Sequence, residues 1–137
     1  MVGILIVAHG AFGEALIHCA SHVLGKRPPL VLQLGVTVHD DPELILPQAQ
    51  ELAKQVDQGD GVLVLSDVLG ATPCNIASRL LKPNKVEGVS GVNLPMLIRA
   101  LTYRDEPLAT VTEKAIRGGV SGVIHLNTDA CNAANRS

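Results

Sequence analysis

Four short aliphatic runs, at 3–8, 30–34, 62–66 and 86–91, are separated by stretches whose apolar residues recur at helical spacing. This alternation leaves few folds open. Parallel strands need long crossovers, and right-handed crossovers place helices on both faces of the sheet. The chain therefore reads as α/β: three layers, doubly wound, with a mainly parallel sheet. A sheet covered on both faces needs an aliphatic filling. Hydrophobic residues make up 47% of the 137, and Phe12 and Tyr103 are the sole aromatics. That length and an 18% share of charged residues fit one folded domain.

The spacing predicts a first helix over 12–25, with Phe12, Leu16, Cys19 and Val23 facing inward and Gly25 ending it ahead of Pro28-Pro29. A second helix opens with Asp41 as cap and Pro42 in first place, burying Ile45, Ala49, Leu52 and Val56. Pro47 inside it predicts a kink or a late start. The third helix covers 73–81, capped by Thr72 and burying Ile76, Ala77 and Leu80. Asn93 caps the fourth, with Leu97, Ile98 and Leu101 on its apolar face. The fifth runs over 107–117, opened by Pro107 and stopped by Gly118-Gly119. Residues 122–126 leave room for a short antiparallel edge strand. One domain over 1–126 and a polar, frayed tail over 127–137 complete the expectation.

The formal charge is −2, with no basic stripe and almost no stacking aromatics, which argues against nucleic acid as a partner. No apolar run approaches the roughly 18 residues of a membrane span, and the N-terminal run lacks the basic flank of a signal peptide. Cys19, Cys74 and Cys131 show no paired spacing, so a reducing compartment, the cytoplasm, is expected.

For a chain of this size the expected strand order is 2-1-3-4, and ligands bind beyond the carboxyl ends where the winding reverses, between strands 1 and 3. The residues at those two ends are His9 and Asp67. A histidine can take up a phosphoryl group on one ring nitrogen if a carboxylate holds the proton on the other. Asp67 is placed for that task. The phosphoryl dianion then needs donors, which the backbone around Gly10, Gly70 and Ala71 and the Thr72 hydroxyl would supply. Each residue also has a plainer explanation: His9 as a structural residue, Asp67 and Gly10 as turn residues, Thr72-Pro73 as a helix start. It is their coincidence at one switch point that favours chemistry. Of the rest, His39 opens on the same edge and is either a site neighbour or a solvated loop residue. His18 and His22 have a spacing that can bind metal but fit an exposed helix face. His125 and Cys74 read as structural.

Three segments taken together resemble the mannose-family IIA component of the bacterial sugar phosphotransferase system. They are Ile6-Val7-Ala8-His9-Gly10, the stretch from Ser66-Asp67 through Gly70-Ala71-Thr72-Pro73 to Ser78-Arg79, and Gly91-Val92-Asn93-Leu94-Pro95-Met96-Leu97. The resemblance covers roughly residues 1–126. It implies a phosphohistidine carrier in which His9 accepts phosphate from the phosphocarrier protein HPr and passes it to a IIB component. Asp67 would orient His9, and Gly70 to Thr72 would lie beside the phosphate. It also implies a homodimer in which a C-terminal strand, residues 122–126, can cross to the partner. Contact with a membrane would be indirect, through a transporter complex, and neither metal nor organic cofactor is expected. This chain departs from the family in carrying Thr72 where a serine is usual and Leu69 where an aromatic is common.

Two other functions compete. In one, the chain is a stand-alone regulatory module whose His9 phosphorylation controls binding to a regulated protein. In the other it handles a metal, because small tetrapyrrole metal chelatases also begin with a strand ending in His-Gly; no second histidine is clearly aimed at the same crevice.

Overall fold

A computed structural model describes residues 1–128. Four strands form one parallel sheet, β1 (Gly3–His9), β2 (Val31–Val36), β3 (Val62–Ser66) and β4 (Val86–Ser90), in the order β2-β1-β3-β4. The helices are α1 (Phe12–Leu24), α2 (Pro42–Val56), α3 (Thr72–Ser78), α4 (Leu94–Tyr103) and α5 (Leu108–Ser121). The doubly wound order read from the sequence is the one observed.

β1 is central, and its alternate residues serve different layers. Ile4, Ile6 and Ala8 pack with α1, α4 and α5, whereas Leu5 and Val7 pack with α2 and α3. Residues Ile4 to Ala8 are fully buried, which accounts for an unbroken apolar run where a half-exposed strand would alternate.

The helix starts follow local chemistry. Asp41 caps α2 by accepting the Glu43 N–H, and Asn93 caps α4 by accepting the Met96 N–H. α2 begins at Pro42, so Pro47 does not delay it. α3 begins one residue early: Ala71 is the cap residue and Thr72 the first helical residue, so the Thr72 hydroxyl makes no cap.

Three expectations need correcting. The inward face of α1 is Gly13, Leu16, Ile17 and Ala20, while Phe12, Cys19 and Val23 are exposed. Small residues decide this: a Cβ on Gly13 would lie 3.1 Å from Ile6 Cγ2 and Gln33 Cβ, so the helix rests on the sheet along its slimmest side. Gly118-Gly119 does not stop α5, which continues to Ser121. A Cβ on Gly118 would come within 2.6 Å of Arg99 Cβ, and one on Gly119 within 2.7 Å of Met96 Cε. These glycines let α5 lie against α4, a use that helix-ending rules miss. Finally, residues 122–126 form no strand: 122–125 are irregular, and Leu126–Thr128 is a 3-10 turn. The sequence that would have been a fifth strand follows directly on the longer helix. Of the expected tail, residues 129–137 lie outside the described residues.

Candidate functional site

β1 and β3 are neighbours, so the end of β1 meets the first residue beyond β3. His9 Nδ1 lies 2.7 Å from Asp67 Oδ2, and the His9 backbone N–H donates to the same oxygen at 3.0 Å. Asp67 Oδ1 accepts the Val68 N–H at 3.0 Å. The carboxylate is thus fixed by backbone on both oxygens before the imidazole engages it. Burial alone would raise the Asp67 carboxyl, but the His9 backbone N–H, the His9 ring and local backbone donation together hold it below the ordinary carboxylate range.

An ionised carboxylate only accepts, so the hydrogen bond fixes the proton of a neutral His9 on Nδ1. Nε2 then carries the lone pair. Among the described residues Nε2 has no hydrogen-bond partner, and the His9 side chain is 51% exposed against 10% for Asp67. One nitrogen is held from within and the other is offered to solvent.

The remaining candidates lie along the same rim. Gly10 has φ +51° and donates its N–H to Val36 O, turning the chain from β1 into α1. Gly70 has φ +86° in the loop from Asp67 to α3, and Ala71 and Thr72 follow it. Among the described residues, the N–H groups of Gly70, Ala71 and Thr72, and those of Ala11 to Gly13, have no acceptor.

His39 is exposed in the loop after β2. His18 and His22 face each other on exposed α1, with Nε2 atoms 3.2 Å apart. His125 is exposed beyond α5, and Cys74 is buried in α3. Among the described residues no three His, Cys, Asp or Glu side chains gather as a metal centre.

Sequence reasoning missed Gly35, which lies just past the strand read over 30–34. β2 continues through Val36, and a Cβ on Gly35 would lie 2.2 Å from Gly10 O. A glycine within an apolar run, Leu34-Gly35-Val36, is the available signal of such a close backbone approach. Also unforeseen is the rim's apolar character: Phe12, Val38, Val68 and Leu69, each in or next to a loop leaving the carboxyl end of a strand, are all exposed.

Comparison with known proteins identifies the family. A family profile described as "EIIA-man: PTS system fructose IIA component" matches residues 3–116. The chain belongs to this family. It is 35% identical over 106 residues to the PTS system mannose-specific EIIAB component of Escherichia coli K12, covering 77% of this chain and 32% of that protein. The chain thus spans about a third of the length of the curated relatives it matches first. It is also 32% identical over 103 residues to the transcriptional regulatory protein LevR of Bacillus subtilis, covering 73% of this chain and 11% of that protein. Among solved structures, the phosphotransferase system component EIIA from Streptococcus agalactiae superposes with a TM-score of 0.82 at 27% identity. That match covers 93% of this chain and 99% of the other. The IIA family to which this chain belongs serves phosphoryl transfer in the sugar phosphotransferase system. No helix among the described residues is long and apolar enough to cross a membrane.

Proposed function

We propose that this IIA protein carries a phosphoryl group on His9 Nε2, taking it from phospho-HPr and passing it to a IIB component for sugar uptake. The observation that carries the proposal is the 2.7 Å contact of Asp67 with Nδ1, which in the neutral ring leaves the lone pair on the exposed Nε2. The Nε2 lone pair attacks phosphorus in line, and the bond to the donor's histidine nitrogen breaks with its electron pair staying on that donor. The proton on Nδ1 stays beside Asp67, which offsets the positive charge that phosphorylation places on the ring. Gly70, Ala71 and Thr72 supply donors to the equatorial oxygens, whereas Gly10, expected from the sequence to share this task, has its N–H committed to Val36 O and offers only a close backbone approach. Transfer onward is the same displacement in reverse sense, and no metal or organic cofactor takes part. The apolar rim of Phe12, Val38, Val68 and Leu69 suits transient protein partners. The setting is the cytoplasm, with the membrane reached only through a transporter complex.

The test is incubation with radiolabelled phosphoenolpyruvate, enzyme I and HPr. The wild-type chain takes up label and His9→Ala takes up none; label retained by the variant would remove His9 from its role. A second reading, regulation without transport, is favoured by the likeness to LevR. It keeps the same phosphorylation and differs in the recipient, so label chased onto a purified IIB component decides for transport. The proposal extends to a homodimer, supported by exposed Val120, Val123 and Leu126 at the end of the chain's described part. Sedimentation equilibrium should then give twice the mass of one chain.

A further inference from the structure

We propose that a cleft at the opposite end of the sheet from His9 binds a small phosphate ester. It encloses about 300 Å³, between the end of α2, the end of α3 and the first residues of β3 and β4. This size falls at the lower end of small-molecule sites, roughly 300–1,000 Å³. Val62, Leu80 and Val86 contribute its apolar lining, and Lys54, Arg79 and Lys82 bring three cations to the same cleft.

The charge is local, since the chain as a whole is at −2. Among the described residues Lys54 and Lys82 have no ion-pair partner. Arg79 gives Nη1 to Glu43 at 2.8 Å and keeps its other N–H groups. The one acidic lining residue, Asp57, already accepts the Gly59 N–H through Oδ1. Lys54 lies in the last turn of α2 and Arg79 directly follows α3, where the helix dipole favours a cation. That accounts for each singly. It does not account for Lys82, nor for all three lining one cleft with an apolar wall.

A phosphate group matches this set: a dianion for two ammonium charges and a guanidinium fork. The apolar wall and the Gln50 amide then suit a carbon skeleton bearing hydroxyls. Inorganic phosphate shares the anionic chemistry but leaves that wall uncovered, so the ester is the better ligand.

Amide NMR titration of the full chain tests this with three probes: glucose 6-phosphate, inorganic phosphate and glucose. Glucose 6-phosphate should shift the Gln50, Lys54, Arg79 and Lys82 amides saturably, inorganic phosphate should do so about tenfold more weakly, and glucose should not. The double variant Lys54→Gln/Lys82→Gln should weaken the ester about tenfold or more with an unchanged circular dichroism spectrum. The proposal is overturned by the absence of saturable shifts, by equal affinity for phosphate or glucose, or by a double variant that binds as before. Neither lysine belongs to the His9 site, so its failure leaves the phosphocarrier reading intact.

Discussion

At the amino end of the sheet, Arg104 is 4% exposed and each of its three guanidinium nitrogens donates a hydrogen bond. Nε and Nη2 donate to Val2 O at 3.0 and 2.9 Å, Nη1 to Pro29 O, and Nη2 also to Leu30 O. At the carboxyl end, His9 has one nitrogen bound and one unbound. Both groups sit at strand ends, and both are fixed by the neighbouring strand or loop. Arg104 stitches the starts of β1 and β2 to the end of α4, and burial pushes its guanidinium below the usual value, with Asp105 opposing. The carbonyls that surround it make it a structural clamp. His9 shows the reverse: its support comes from one side only, and its other side is open to solvent, as the proposed phosphoryl transfer requires. A partner for every nitrogen marks the structural end, and an unpartnered ring nitrogen marks the end proposed to carry phosphate.

The largest expected effect tests the support of His9. Asp67→Asn should keep the fold and slow phosphorylation by phospho-HPr about a hundredfold, because an amide can donate as well as accept and no longer fixes the proton on Nδ1. Unchanged rates in a quench-flow assay would dissolve the distinction between the two ends. Next, Arg104→Ala should cost about 3 kcal/mol, since buried carbonyls lose a charged donor. The melting temperature should fall on the order of 10 °C, with labelling of the folded fraction unchanged. Smaller again is Gly35→Ala, which pushes a methyl group against Gly10 O and should cost about 2 kcal/mol. Because Gly10 follows His9 directly, this variant should also slow transfer, although it touches neither His9 nor Asp67.

The smallest effect is in pH. The Asp67 carboxyl is lowered in the folded chain, so its ionised form stabilises the fold. That stabilisation is present above the unfolded value, near 3.9 for an aspartate, and is lost as pH falls through the folded value. Carboxyl NMR should show Asp67 titrating below the ordinary aspartates, and His9→Ala should move it upward by removing the ring's contribution.

Much of this contrast was legible in the sequence, and unevenly so. Strand order and the meeting of His9 with Asp67 followed from alternation, crossover handedness and the switch-point rule, all of which depend on residue type and order. Arg104 was invisible because its partners are carbonyls of Val2, Pro29 and Leu30, which carry no side-chain signature. Gly118-Gly119 and Gly35 were misplaced for a related reason. A glycine that ends an element and one that admits a neighbouring backbone or side chain look identical until the neighbour is known. The α1 face was misjudged because large apolar residues drew attention while Gly13 and Ala20 governed the approach to the sheet.

β1 is flanked by β2 and β3 and covered by helices on both faces, and His9 is its last residue. Local opening that would let the His9 peptide swing away must break ladder bonds on the β2 side and the Asp67 bond on the other. The proposed phosphoryl acceptor is therefore attached to a strand buried along its length up to Ala8, and under the proposed function a partner protein meets it already in position.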